Sequence, residues 1–426
     1  MKILLINPNR YHNPPVMPIG LEYLAGAVMA AGHDVNVLDL CFSDSPEEEL
    51  LKALQSLKPD ITGISIRQVD TALYRGNQFF LPEICDYVQM CKEHGFPVVL
   101  GGSGFSIMPD KILKYTGAQY GIYGPGEQVL VALMDQLQQG TIGDSIPIRN
   151  GYMALKVDHP TVCRADMVDP SQYIENEGVF GFRTQHGCNE TCFFCVEAAT
   201  PVSHCTPQAV AREIQQLVDR GATQFHLCDA EFNESESHCI DVCRAIMETT
   251  GPVPWTLYMK PEPISGELFR WLAGSGATMI TLSINTLQYG QDNFTQLEPF
   301  FLLARDQGIK VMVDLSVGYP DEPPAITARM LDFLEGLPMH SVGVNSYFRV
   351  YPGTPLYKQI CATPRLQNRL LPGFPEDDFL APVFFCQISE QELRPLIAGR
   401  QKFRVEGFDM ATNYQRVKRD CEGKTR

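Results

Sequence analysis

Two long stretches of this chain alternate short apolar segments with amphipathic ones, and that alternation limits the fold more than any other feature. Lys2–Asn7, Asp34–Asp39, Asp60–Ile66, Pro97–Leu100 and Tyr120–Tyr123 read as strands, with helices at Leu21–Ala31, Pro46–Leu57, Leu81–His94 and Glu127–Gln139. Apolar strands that alternate with helices are covered on both faces, so the α/β class follows, here as a parallel, doubly wound sheet with its ligands at the carboxyl ends of the strands. A second set begins at Val179. Its strands are Val179–Thr184, Gln224–Cys228, Trp255–Tyr258, Met279–Ser283, Val311–Val317 and Val342–Phe348, separated by helices such as Pro207–Arg220 and Leu297–Gln307. Six strand–helix units predict a partial (β/α)6 barrel of the TIM type, open at one side, with its site at the C-terminal ends of the strands.

A length of 426 residues suits two domains and an appendage. The patterns divide the chain into a doubly wound domain over 1–145, a linker over 146–178, a barrel over 179–357 and a small capping segment over 358–426. The linker is polar and contains Asp158, Pro160, Asp169 and Pro170. The C-terminal segment holds a Phe-rich patch at Phe379–Phe385 and an amphipathic helix near Ser389–Phe403, for which packing is the expected role.

A formal net charge of −16 sets up a field that repels a nucleic-acid backbone, so the partner expected is a small molecule or a peptide. The N-terminal run of four apolar residues before Asn7 is too short for a signal-peptide core, and no later segment matches a membrane span; a cytoplasmic protein is expected. Fourteen cysteines scattered through a chain of this length read as reduced thiols rather than a disulfide framework.

Three of those cysteines stand apart. Cys188, Cys192 and Cys195 follow the first strand of the second set, spaced Cys-x-x-x-Cys-x-x-Cys within eight residues. Three thiolates at this spacing can fold around one [4Fe-4S] cluster and leave its fourth iron without a protein ligand, open to a small molecule. A structural zinc site normally closes with a fourth ligand at short spacing, and neither His186 nor Cys205 completes such a pattern. The motif resembles that of radical S-adenosylmethionine enzymes, in which S-adenosylmethionine fills the vacant position through its amino and carboxylate groups. The resemblance implies a backbone contact to adenine at Phe194 and an acidic partner for the methionyl ammonium at Asp229 or Glu231, between which the sequence does not choose. It also implies polar contacts to ribose or carboxylate at Ser283 and Asn285. Gly318, Tyr319, Pro320, Asp321 and Glu322 look like the family's Gly-x-Pro-x-Glu turn, and Tyr351 to Leu356 is very like the segment that closes the last strand in the cobalamin-linked branch.

The N-terminal loops extend the resemblance. Pro18 and Gly20 follow the first strand; Ser65 and Arg67 the third; Gly101, Gly102 and Ser103 the fourth; Gly124, Gly126 and Glu127 the fifth. In that order they resemble the cobalamin-binding domain that precedes the radical domain in one large subfamily, the class B radical methyltransferase-like enzymes. The Asp-x-His-x-x-Gly signature is absent, so cobalamin would lack a histidine ligand to cobalt, and Arg67, which stays protonated, could keep the lower face open.

The resemblance implies three cofactors: a [4Fe-4S] cluster, S-adenosylmethionine and cobalamin, served by a reductant such as flavodoxin or ferredoxin. The activity implied is methylation of an unactivated carbon in a small metabolite or peptide, through a 5'-deoxyadenosyl radical and methylcobalamin. Rearrangement, ring contraction or cyclisation without methyl transfer is the alternative. A methylthiotransferase is disfavoured because Cys41, Cys85 and Cys91 lie on separate elements and form no second triad, and a non-catalytic homologue would not need all three motif cysteines.

Overall fold

The computed structural model describes residues 1–12, 14–142, 147–154, 164–290, 293–375 and 379–409. Asp158 and Pro160, together with the chain beyond Asp409, lie outside the described residues. The chain forms two compact units, one of Met1–Thr71 with Asn77–Val179, the other of Ala72–Gly76 with Phe180–Arg426.

The first unit is a parallel sheet of β1 (Lys2–Asn7), β2 (Asp34–Asp39), β3 (Ile61–Ser65), β4 (Val98–Gly101), β5 (Tyr120–Tyr123) and β6 (Ile148–Asn150). The strand order is β2-β1-β3-β4-β5-β6. Sequence order reverses between β1 and β3, so the crevice that such sheets use for ligands opens beside those two strands. Ile3, Leu5, Ile61 and Val99 are buried from the strands, and Leu21, Ala25, Val28, Leu130 and Leu133 cover them from the helices Ile19–Ala30 and Glu127–Gln139. β6 falls where a linker was expected. Three residues are too few for a periodicity, and this one pairs with β5 only at the sheet edge.

The stretch after β6 also belongs to the first unit. Arg164 donates to Glu22 at 2.7 Å, both side chains being almost wholly buried, while the Ala165 and Val168 amides bond to the Glu22 carbonyl and carboxylate.

The second unit holds a seven-stranded parallel sheet ordered β18-β14-β13-β12-β11-β10-β7. Its strands are β7 (Phe180–Phe182), β10 (Phe225–Leu227), β11 (Trp255–Met259), β12 (Ala277–Asn285), β13 (Lys310–Ser316), β14 (Ser341–Asn345) and β18 (Phe403–Val405). Between β7 and β10 an antiparallel hairpin of β8 (Gln185–Cys188) and β9 (Thr200–His204) intervenes. A small antiparallel sheet is built from β15 (Tyr347–Arg349), β16 (Leu370–Leu371) and β17 (Phe384–Cys386).

Three differences from the sequence reading follow. The expected last strand, Val342–Phe348, is two strands broken at Ser346, the first in the barrel sheet and the second in the small sheet. The helix expected over Ser389–Phe403 spans Glu390–Ile397, with a capping box at Ser389 and Glu392. The chain then returns as β18 alongside β14, giving the barrel sheet a seventh strand. The Phe-rich patch is core: Phe379, Phe384 and Phe385 are buried. Tyr74, from the Ala72–Gly76 segment, stacks on Tyr347 with ring centroids 4.8 Å apart. Among the described residues no helix is long and apolar enough to cross a membrane.

Candidate active site

The cysteine motif sits on the loop that joins β8 to β9, so the hairpin holds both of its ends. Gly187 adopts a φ of +80°, and a Cβ there would meet the Pro201 carbonyl oxygen at 2.0 Å, so only glycine fits this entry to the loop. The Cys188 amide bonds to Thr200 Oγ1 at 3.1 Å, Ala199 N to the Glu190 carbonyl at 2.8 Å, and Cys195 N to the Cys192 carbonyl at 3.1 Å. Cys188 is buried and Cys192 and Cys195 are half-buried. Burial pushes the Cys188 thiol up to about 12 and Cys192 to about 11, and raises Cys195. Among the described residues no three His, Cys, Asp or Glu side chains converge on a point where one metal ion would sit. Three thiols on one short loop closed at both ends are the donor type that an iron–sulfur cluster takes.

Two aromatic residues tie the loop to the far side of the barrel. Phe194 packs on Phe348 and Tyr319, with centroids 5.2 and 6.5 Å away, while the Phe193 carbonyl accepts from the Leu356 amide.

The structure separates the two acidic candidates. Asp229, just past β10, accepts from the Thr184 amide at 2.8 Å, the Gln185 amide at 3.3 Å and the Thr184 hydroxyl. It is buried, which pushes its carboxyl up to about 6 despite those bonds. Its work is to pin the end of β7 against the end of β10. Glu231 lies two residues on. Its Oε2 is shut off from solvent with no hydrogen-bond partner, and burial pushes the carboxyl up to about 8, offset by a hydrogen bond from Ser283. A buried acceptor with an open lone pair is costly unless a donor arrives.

Sequence reasoning missed the ion-pair network around it. Lys260, at the end of β11, donates to Glu234 at 2.8 Å and to Glu190 at 3.1 Å, and Glu234 also accepts from the Asn189 amide at 3.0 Å. This fastens the cysteine loop to β11. Only the three-dimensional meeting of three separate loops reveals it. Ser283, read as a ribose or carboxylate contact, hydrogen-bonds Glu231, whereas Asn285 caps the short helix Thr286–Tyr289 by accepting from Gln288 N at 2.7 Å. Glu322 of the Gly-x-Pro-x-Glu turn is likewise engaged, accepting from Thr286, Thr327 and the Tyr319 amide. Trp255 is core, edge-on to Phe182 and Phe232.

In the first unit, the glycine-rich and proline-rich loops share one edge because β1, β3, β4 and β5 are neighbours in the sheet. Gly102 has a φ of +96°, and a Cβ would strike the Ile66 carbonyl at 2.5 Å; one on Gly104 would meet the Gln68 backbone at 2.8 Å. Ser103 Oγ donates to the Arg67 carbonyl at 2.7 Å, and Ser106 Oγ accepts from Gly124 N at 2.9 Å, linking the loops after β3, β4 and β5. Around Gly20 a Cβ would meet nothing within 4 Å, so the start of helix Ile19–Ala30 is open. Pro18, Ser65, Arg67, Gly101 and Gly126 remain partly accessible at this edge, with Glu127 buried at the start of its helix. The Arg67 guanidinium lies 3.4 Å from Gln68 Oε1. This accessible edge, with glycines at its turns, fits a large ligand such as cobalamin.

Comparison with known proteins agrees with both halves of this description. Residues 13–134 match the B12 binding domain family. The chain is 24% identical to the tryptophan 2-C-methyltransferase of Streptomyces laurentii, across 84% of this chain and 74% of that one. It superposes on the radical S-adenosylmethionine methyltransferase TsrM of Kitasatospora setae, solved with cobalamin and a [4Fe-4S] cluster, with a TM-score of 0.82 at 22% identity, covering 97% of this chain and 92% of that one. TsrM solved with tryptophan and a S-adenosylmethionine analogue superposes with a TM-score of 0.76 at 25% identity, covering 85% and 76%. The anaerobic magnesium-protoporphyrin IX monomethyl ester cyclase of Rubrivivax gelatinosus is 26% identical over 76% of this chain and 63% of its own length. Over most of its length, then, the chain is similar to cobalamin-dependent radical S-adenosylmethionine methyltransferases, and residues 13–134 match a B12 binding domain.

Proposed function

We propose that this protein methylates carbon in a small molecule, and that Cys188, Cys192 and Cys195 hold the iron–sulfur cluster. The buried, unsatisfied Oε2 of Glu231 is the single observation that carries the assignment of its site. When bound, the cluster, S-adenosylmethionine and cobalamin supply one-electron cleavage of a carbon–sulfur bond and a transferable methyl group. The protein's own residues bind, orient and exclude water. Glu231 receives the methionyl ammonium in a charge-assisted pair, and Ser283 orients its carboxylate. Asp229 keeps Glu231 in place by locking the strand ends, so it is a positioning residue. Lys260, engaged by Glu190 and Glu234, holds the cysteine loop over the barrel mouth. Phe194 seats that loop on Tyr319 and Phe348, leaving its backbone to face adenine.

The open edge of the first unit takes cobalamin, with Gly101, Gly102, Ser103, Gly124 and Gly126 admitting it closely and Pro18, Gly20, Ser65 and Glu127 lining the crevice. Arg67, two residues past β3, would stand on the cobalamin side of this edge and, staying protonated, would not ligate the metal. Tryptophan, named for two relatives, is the first substrate to try. The net charge of −16 favours a small molecule over nucleic acid, and a cytoplasmic flavodoxin or ferredoxin suits as electron donor. We place the doubly wound domain at Met1–Val179 apart from Ala72–Gly76, with β6 at its sheet edge where the linker was expected, and the barrel with its C-terminal segment, which supplies β18, at Phe180–Arg426.

The relative that is a cyclase keeps a second reading in view, radical rearrangement without methyl transfer. Anaerobic reconstitution followed by mass spectrometry separates the two. S-adenosylhomocysteine alongside a methylated product supports methyl transfer, whereas 5'-deoxyadenosine without any methylated cobalamin supports rearrangement.

A further inference from the structure

Oε2 of Glu231 is not the only open acceptor in its neighbourhood. Gln185, the first residue of β8, is 3% exposed, and its Oε1 is likewise shut off from solvent with no hydrogen-bond partner. The other arm of the same amide is engaged, Nε2 donating to the Glu231 main-chain carbonyl at 2.6 Å. That bond settles which arm is which, because only the NH2 end of an amide can donate to a carbonyl, so the open atom is an acceptor. It also sets the open oxygen beside Glu231, on the same carbon as the nitrogen that touches that residue.

Gln185 is held from the backbone as well. Its main-chain amide donates to Asp229 Oδ1 at 3.3 Å, so Asp229 anchors the residue and the side chain reaches on to Glu231. β8 then ends at Cys188, the first cysteine of the motif.

A buried acceptor without a donor is costly, and here two of them sit on residues bonded to one another. A single group that relieves both must bring at least two donors, and one that pairs with the Glu231 carboxylate is favoured if it is a cation. A hydroxyl has one donor and a neutral amide carries no charge, whereas an ammonium has three donors and a positive charge. The protein's own ammonium does not serve: Lys260, whose charge reaches Glu231, is committed to Glu190 and Glu234.

We infer that Gln185 Oε1 is a second acceptor for the methionyl ammonium of S-adenosylmethionine, which is held between a carboxylate and a neutral amide rather than by Glu231 alone. This rests on the proposed role of Glu231 and extends it to β8. A neutral acceptor suits the place, because Glu190 and Glu234 already act on Glu231 with like charge and a further carboxylate would add to that repulsion.

The test uses the full-length, anaerobically reconstituted protein without reductant. Calorimetry compares its affinity for S-adenosylmethionine with that for the desamino analogue, which carries hydrogen in place of the amino group. The native protein should prefer S-adenosylmethionine, and Gln185→Leu should lower that preference about tenfold, the worth of a hydrogen bond to a charged group, while leaving the affinity for the analogue unchanged. A Glu231→Ala variant separates direct contact from mere bracing of Glu231. It should keep a preference of about tenfold through Gln185, and Glu231→Ala with Gln185→Leu should lose it. An unchanged preference in Gln185→Leu, equal weakening of both ligands in that variant, or no preference left in Glu231→Ala would overturn the inference. The last measurement decides the matter even where Gln185→Leu does not fold. A native protein that binds S-adenosylmethionine no better than the analogue would instead remove the role of Glu231, and one that does not bind it at all would remove the methyltransferase reading.

Discussion

Glu231 and Asp229 stand two residues apart on one loop, and sequence alone offered them as equals. What distinguishes them is tertiary: Asp229 meets two amides and a hydroxyl from the end of β7, and Glu231 keeps an open oxygen. Replacing them should therefore have different effects. Glu231→Gln should weaken S-adenosylmethionine binding by about 10- to 100-fold, the worth of a charge-assisted hydrogen bond, at little cost in stability. Asp229→Ala should lower stability by about 1–3 kcal/mol through its orphaned donors. Calorimetric binding and chemical denaturation of both variants decide the matter; the reverse pattern would exchange their roles. Asn285 was legible as polar but not as a helix cap, since capping depends on where the short helix after β12 begins. Gly102 was legible as a glycine at a strand end, and its positive φ explains why: Gly102→Ala should cost at least about 2 kcal/mol, measurable by denaturation, from a strained backbone and the clash with Ile66.

At the scale of elements, the long strands were readable from periodicity because each is covered by helices and shows a continuous apolar run. β6 and β18, three residues each, carry no such signal and gain their pairing from the neighbouring strand. The hairpin that carries the cysteine loop was also invisible, because Gly187 and Thr200 act through backbone geometry rather than pattern. One buried element contact sets a pH response. His238, on the helix Glu236–Thr249, bonds through Nε2 to the Thr184 carbonyl at 3.2 Å and packs at a tilt against His204, ring centroids 4.2 Å apart. Burial lowers its pKa to about 4, below the ordinary value of 6.5. The unfolded chain therefore binds the proton more readily between those values, and the stability that neutral His238 contributes is lost as pH falls from about 6.5 to about 4. A His238→Gln variant should show a flatter loss of denaturation midpoint across that window than the native protein; an unchanged slope would contradict this.

For the whole molecule, the two α/β architectures were legible because both depend on patterns repeated over a hundred residues or more. Long-range pairings were not. The buried ion pair of Arg164 with Glu22 joins residues 142 positions apart and holds the chain after β6 onto helix Ile19–Ala30. Arg164→Met alone should cost about 3–5 kcal/mol by leaving a buried carboxylate, whereas Arg164→Met with Glu22→Leu should recover most of it. A double-mutant cycle in denaturant measures this, and equal losses in the single and double variants would contradict it. The most direct measurement of the central claim follows a methyl group. The protein is reconstituted anaerobically with iron, sulfide and cobalamin, reduced, and given S-adenosylmethionine carrying a deuterated methyl. Mass spectrometry should recover that label on cobalamin, with matching S-adenosylhomocysteine, whereas a protein that binds no cobalamin, or leaves it unlabelled while S-adenosylmethionine is consumed, would contradict it.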